Sequence, residues 1–169
     1  SSNEGWGLSL TESMMSGRMI IANTTGGMQD QMRFEDEDGN WIDFDKDFPS
    51  NHLGAYKRHG EWAMPVFPSN LSIVGSLQTP YIYDSRADIR DITKAIEDVY
   101  NLPKEERLKR GLAGRQWVTS DESMMTADNM AKNVIATVDE TLATWKPRKR
   151  FELIKSEKLP IKKAEHKLL

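Results

Sequence analysis

Two glutamates stand eight positions apart near the amino terminus, Glu4 in a glycine-containing turn and Glu12 in a segment rich in helix formers. The first opens the sequence Glu-Gly-Trp-Gly-Leu, where glycine lets backbone amides approach an anion closely. Carboxylates accept hydrogen bonds from pairs of hydroxyl groups, and the amino end of a helix favours negative charge. This order of residue types suits a ligand with sugar hydroxyls at two places and phosphate between them.

A second glycine turn follows a short apolar run. Residues 19–22 read Met-Ile-Ile-Ala, which is typical of a parallel strand covered on both faces. Gly26 and Gly27 come soon after it, and residues 28–32 are predicted to form a short helix whose amino end faces them. The two glycines therefore either contact a ligand phosphate or only turn the chain from strand to helix.

The elements that must position these turns can be predicted from periodicity. Residues 8–16 suit a helix, Gly17 is expected to end it in the left-handed conformation, and residues 18–22 form the strand. From Phe34 to about Gln78 the pattern loses its period, so we predict a long irregular insertion. Residues 81–83 suit a second short strand.

Three consecutive helices are predicted to close the domain. Asp84 or Ser85 is expected to cap the first, which carries an apolar stripe. The stripe comprises Ile89, Ile92, Ile96, Val99 and Tyr100. The second helix spans 104 to about 119 with Leu108, Leu112 and Trp117 inward, and the third runs from 121 to about 145. The pattern predicts an α/β fold, with a Rossmann-like parallel sheet that is half of a doubly wound arrangement.

Composition excludes several classes of protein. The 169 residues include no cysteine, so a disulfide, a thiolate zinc site and a cysteine nucleophile are ruled out. No apolar run approaches the roughly 18 residues needed to span a bilayer, and we expect a cytoplasmic protein without a transmembrane segment. Three histidines lack metal-ligand spacing and are predicted to lie at the surface: His52, His59 and His166. Residues 43–47 alternate aspartate with other residues but lack the later glycine and glutamate of a calcium loop.

Charge divides the chain into two parts. Residues 1–145 hold 14 basic and 23 acidic side chains, whereas residues 146–169 hold nine basic and three acidic ones. We therefore predict one domain over residues 1–145 and a basic carboxyl-terminal tail over 146–169, which could contact phosphates. Because the first residue is Ser1 and the strongest motif begins within four residues of it, we also expect natural translation to start upstream of Ser1.

The segment from Glu4 to Glu12, followed by Gly17 and residues 20–22, resembles the two-glutamate motif of retaining GT-B glycosyltransferases of the glycogen synthase and sucrose synthase type. The resemblance implies the carboxyl-terminal, nucleotide-sugar-binding domain of such an enzyme. It implies a donor such as a UDP- or GDP-sugar, no metal or other cofactor, and an acceptor-binding domain upstream. A chain that lacks that domain is expected to be inactive on its own.

By the same resemblance each motif residue receives a role. Glu4 would be catalytic, holding donor-sugar hydroxyls near the reacting carbon, and Glu12 would take the ribose hydroxyls. The remaining donor-binding residues would lie along the sugar and diphosphate, or shape the turns that do so. They are Gly5, Trp6, Gly7, Leu8, Gly26 and Gly27.

Other functions stay open at this point. The stretch of residues 60–81, rich in aromatic residues and proline, looks similar to an insertion in glycosyltransferases of tailed bacteriophages. That similarity would make DNA a candidate sugar acceptor, which the basic tail could bind. A GT-B phosphorylase or an epimerase of similar fold would share the motif's chemistry. A non-catalytic module that binds a nucleotide sugar or DNA is the alternative from another class.

Overall fold

The computed structural model describes residues 2–42 and 51–148. In chain order the elements are α1 (Leu8–Met15), β1 (Ile20–Asn23), α2 (Met28–Met32), β2 (Ala63–Val66), β3 (Asn70–Val74), β4 (Ile82–Arg86), α3 (Ile89–Asn101), α4 (Lys104–Val118) and α5 (Ala127–Thr144). The protein is mixed α/β with a small parallel sheet, which confirms the predicted α/β class. Residues 43–47, whose pattern argued against a calcium loop, fall outside the described residues, as does the basic tail beyond residue 148.

The parallel sheet places the carboxyl ends of two strands side by side. β1 pairs with β2 in parallel, with Ile20 opposite Ala63 and Asn23 opposite Val66. Ile20 and Ala22 of β1 are buried, Ile20 being only 3% exposed, whereas Ile21 and Asn23 are partly buried, so one face of the strand is covered more fully than the other. The predicted parallel strand is confirmed, beginning two residues and ending one residue later than expected, and Gly17 takes the expected left-handed conformation with φ of 69°.

The prediction of a long irregular insertion between residues 34 and 78 is wrong in part. This stretch contains β2, which pairs with β1, and β3, which forms an antiparallel hairpin with β4. The sequence of β2 is Ala-Met-Pro-Val, and proline normally argues against a strand because it cannot donate to a ladder. Within the described residues β2 has one strand partner, so Pro65 is accommodated on an edge strand.

The start of α3 also differs from the prediction. Asp84 and Ser85 lie in β4, and Asp88 is the residue that caps α3, its carboxylate accepting a hydrogen bond from the Arg90 amide at 2.8 Å. The Arg90 side chain bonds the same carboxylate and lowers the pKa of Asp88 to about 2. Asp84, Ser85 and Asp88 are all residue types that cap helices, so the sequence does not distinguish between them. The pairing of β4 with β3 places the first two in a strand and leaves Asp88 as the cap.

The predicted inward faces of α3 and α4 are only partly correct. On α3 the small Ala95 is buried, whereas Ile89 and Tyr100 are 71% and 76% exposed. On α4 Trp117 is buried as predicted, but Leu108 and Leu112 are about half exposed. Apolar periodicity therefore gave the helices correctly and their buried faces incorrectly.

Glycines rather than leucines bring α4 to the body of the domain. A Cβ on Gly111 would lie 2.2 Å from the backbone oxygen of Gly17, and one on Gly114 would lie 2.8 Å from the side chain of Trp62. The close approach lets Trp117 stack on Trp62 with ring centroids 5.0 Å apart. These two rings belong to the main buried cluster, together with Met14, Ile20, Met28, Met32, Phe34 and Val118.

The chain forms two compact units, one ending at Asn133 and the other beginning at Val134. The division falls inside α5, whose residues are not buried. The predicted division near residue 145 stays a prediction. None of the helices in the described part of the chain combines the length and apolar character required to cross a membrane.

His52 is buried, at 6% exposure, which corrects the prediction that it lies at the surface. Its ring packs edge-on against Phe34 at 4.4 Å and against Tyr56 at 5.3 Å between centroids. Burial in this aromatic cluster lowers the pKa of His52, and the nearby charge of Lys57 lowers it further. His59 is half-buried, and His166 lies outside the described residues.

We expect Gly111→Ala to destabilise the protein. Alanine in place of glycine normally stabilises a helix interior by about 1 kcal/mol, but overpacking a close contact costs roughly 1–3 kcal/mol. The added methyl group would meet the Gly17 carbonyl, so the net change should be a loss of unfolding free energy, measured by denaturant titration. An increase in stability would show that α4 does not pack this closely.

We further expect the protein to become less stable as the pH is lowered, because His52 is buried. Its pKa is lower in the folded than in the unfolded chain, so below the ordinary value of 6.5 the unfolded chain takes up a proton that the folded protein refuses. Stability is full above 6.5 and is lost as pH falls, by about 1.4 kcal/mol for each unit of pKa lowering.

The measurement compares thermal midpoints of the wild type and His52→Gln between pH 7.5 and pH 5. Carboxylates contribute to both proteins, so the difference between the two slopes isolates His52. Equal slopes would contradict the prediction.

Candidate functional site

The two glycine turns predicted to bind a ligand lie against each other. The Gly27 amide donates a hydrogen bond of 3.2 Å to the backbone oxygen of Glu4. The segment Glu4–Gly7 therefore rests on the turn that follows β1, at the carboxyl end of the parallel strand. In parallel sheets this end is where ligands bind. The structure thus brings together two motif segments that are about twenty residues apart in sequence.

Gly26 and Gly27 are required by this contact. A Cβ on Gly26 would lie 2.1 Å from the Glu4 oxygen, and Gly26 is also left-handed, with φ of 51°. A Cβ on Gly27 would lie 2.2 Å from the Gly5 oxygen and 3.0 Å from the Trp6 Cα. Their first role is to admit the backbone of the motif loop, and this answers why two adjacent glycines follow the strand.

The two motif carboxylates stand at the surface. Glu4 and Glu12 are both exposed, Glu4 in the loop and Glu12 on α1. Neither side chain bonds or pairs with another group in the part of the chain that the structure describes. Both remain available to accept hydrogen bonds from a ligand.

The start of α1 presents backbone donors beside these carboxylates. Gly7 precedes the helix in the left-handed conformation, with φ of 84°, and contributes no side-chain cap. Among the described residues, the amides of Gly7 and Leu8 have no hydrogen-bond acceptor. Unbonded amides at a helix start attract anions, helped by the helix dipole. The side chain of Leu8 is 69% exposed.

The interior beneath the loop is polar, which the sequence analysis missed. Gln29 and Gln31 on α2 are fully buried. The Gln31 amide donates to the backbone oxygens of Trp6 and Gly7, and its oxygen accepts a hydrogen bond of 2.8 Å from the Thr11 hydroxyl. A signal existed in the sequence: two glutamines flank Asp30 in a short helix whose period would place apolar residues there.

Two further buried groups adjoin the glycine turn. Thr24 and Thr25 are 0% and 1% exposed, and their hydroxyls find no hydrogen-bond partner among the described residues. An unsatisfied buried hydroxyl costs about 1–3 kcal/mol. The strand therefore ends in a stretch that is not optimised for stability, immediately before Gly26.

A pocket of about 410 Å³ lies at the same end of β1. Its polar lining comes from Ser2, Asn23, Ser85 and Arg86, and the rest of its wall is apolar. The Asn23 side chain donates to the Ser85 oxygen at 2.9 Å, which ties β4 to the end of β1. Sequence reasoning did not find this pocket, because β4 approaches β1 only in the tertiary structure.

Comparison of the chain with family models, with curated proteins and with solved structures finds no match.

Gly27→Ala and Gly5→Ala form a matched test of the packed turns. Gly27 has a φ of −65°, which alanine adopts freely, so only the close contacts with the backbone of Gly5 and Trp6 oppose the substitution. Gly5 has nothing within 4 Å of a Cβ. We expect Gly27→Ala to lower the free energy of unfolding by roughly 1–3 kcal/mol and Gly5→Ala to change it little.

Denaturant unfolding of the two variants measures both values. Similar stabilities of Gly27→Ala and Gly5→Ala would refute close packing of the motif loop on the glycine turn.

Proposed function

We propose that this chain carries the donor-binding part of a retaining glycosyltransferase that transfers a sugar from a nucleotide sugar to an acceptor. One observation supports this function above others. The Glu4–Gly7 loop and the Gly26–Gly27 turn, which the two-glutamate motif requires together, are in backbone contact at the carboxyl end of β1. Exposed carboxylates and unbonded amides lie within this one segment.

The chemistry of the donor assigns the roles. A nucleotide sugar carries two negative phosphates between a ribose diol and a sugar ring, and amides at the start of α1 suit the phosphates. Glu12 would accept hydrogen bonds from the ribose diol. Glu4 would hold hydroxyls of the transferred sugar, close to the carbon at which positive charge develops as the diphosphate leaves. The acceptor hydroxyl oxygen then bonds to that carbon on the face that the diphosphate leaves, which gives retention, and the hydroxyl proton goes to the departing diphosphate.

Binding experiments with the chain separate the two glutamates. Calorimetry with UDP, GDP and their glucose and mannose conjugates first identifies the preferred nucleotide. Glu12→Gln should weaken binding of the nucleoside diphosphate by about tenfold, close to 1.4 kcal/mol. Glu4→Gln should leave that affinity unchanged and remove the additional affinity that the attached sugar provides. In a polypeptide that also contains an acceptor-binding domain, Glu4→Gln should lower turnover about a hundredfold, on the order of 3 kcal/mol.

Glu105→Gln is the charge-matched control, because Glu105 is exposed at the first turn of α4, outside the motif. All three variants must keep the thermal midpoint of the wild type. Equal donor affinity in the wild type, Glu12→Gln and Glu105→Gln would contradict the proposed role of Glu12 in donor binding. Tight nucleotide-sugar binding with no turnover in the larger polypeptide would favour a non-catalytic binding module.

A further inference from the structure

The side chain of Gln31 is buried directly beneath the motif loop. It belongs to α2, is 0% exposed, and contacts the loop from below through both atoms of its amide. Its nitrogen donates to the backbone oxygen of Trp6 and, at 3.2 Å, to that of Gly7. Its oxygen accepts the Thr11 hydroxyl at 2.8 Å. The hydrogen-bonding groups of the side chain are thus directed at the loop and at α1.

The hydrogen bonds close a ring that fixes the orientation of the amide. The Trp6 indole N–H donates to the Thr11 hydroxyl oxygen at 3.2 Å, and the Thr11 hydroxyl in turn donates a hydrogen bond to the side-chain oxygen of Gln31. The two backbone oxygens that the glutamine contacts can take a hydrogen bond only from its NH₂ end, so a flipped amide would place its oxygen against two carbonyl oxygens at once. The ring therefore has one favourable arrangement.

The geometry of the peptide group also fixes the direction of the amides on the opposite side of the loop. In a trans peptide the N–H points opposite to the preceding C=O. Since the oxygens of Trp6 and Gly7 are turned toward Gln31, the amides of Gly7 and Leu8 point away from it. Neither of these amides has an acceptor in the described part of the chain. The buried glutamine and the free amides are opposite sides of the same two peptide groups.

We propose that Gln31, with Thr11 as its support, is a positioning residue that presents the Gly7 and Leu8 amides to the diphosphate of the donor. The inference rests on the proposed function and adds to it the group that sets the geometry. Neither side chain touches the ligand. An apolar residue at position 31 would fill the space but leave the Trp6 oxygen unpaired and the Gly7 oxygen with only the bond from the Leu10 amide, so the Trp6–Gly7 peptide would be held less firmly.

The test uses Thr11→Val, which keeps the shape of the side chain and removes its hydroxyl, and Thr11→Ser, which restores the hydroxyl. Gln31→Met is the more severe variant. Calorimetry measures the affinity of each folded protein for uridine diphosphate and for uridine. We expect Thr11→Val to weaken uridine diphosphate binding by about tenfold and uridine binding hardly at all, because only phosphate contacts depend on the amides. Thr11→Ser should recover most of the loss.

A second measurement reports on the wild type alone. Amide resonances of Gly7 and Leu8, followed by NMR, should shift on addition of uridine diphosphate and much less on addition of uridine. Binding of the diphosphate without a shift of these two amides overturns the positioning role even if the variants fail to fold, and leaves the proposed function standing. Equal diphosphate affinity in folded Thr11→Val and wild type does the same. No binding of either uridine diphosphate or guanosine diphosphate by the wild type overturns both the proposed function and this inference.

Discussion

The contact between the backbone of residues 4–6 and the Gly26–Gly27 turn is the constraint on which the candidate site depends. Two main chains approach so closely there that a single Cβ would lie 2.1 or 2.2 Å from a carbonyl oxygen. The Gly27 amide fixes the approach through its bond to Glu4. Because the loop leads directly into α1, the same contact sets where that helix begins and where Glu12 stands. A side chain at either glycine would separate the two halves of the motif.

The interior beneath this contact is organised by hydrogen bonds more than by apolar packing. Gln29 and Gln31 are fully buried, and Gln29 accepts the His52 amide at 3.3 Å. Buried polar groups stabilise a single arrangement when they are satisfied and are costly when they are not. Thr24 and Thr25 carry such a cost next to the glycine turn. Departures from optimal packing that concentrate in one place are expected at functional sites.

The aromatic and glycine contacts of α4 provide the rigid support for this polar region. Trp62 donates its indole N–H to the backbone carbonyl oxygen of Gln31 at 3.1 Å while its ring stacks on Trp117 of α4. Gly111 and Gly114 let α4 come close enough for that stacking. The apolar cluster, α2 and the motif loop are therefore connected through Trp62. A displacement of α4 would move Trp62 and, through Gln31, change the position of the loop.

The sequence by itself determined the local elements and the candidate site residues. Helix periodicity, the glycine after α1 and the apolar run of β1 depend on neighbouring residues, so α1, β1 and α2 could be predicted closely. The spacing of Glu4 and Glu12 and the two glycine turns were also visible, because a motif is a property of the chain. Only the tertiary structure decided which segments meet. Pairing with β1 turned residues 63–66 into a strand despite Pro65, and close glycine contacts buried one face of α4 instead of its leucines. The role of Gln31 emerged only there as well, since a hydrogen bond between residues 25 positions apart leaves no periodic signal in a sequence.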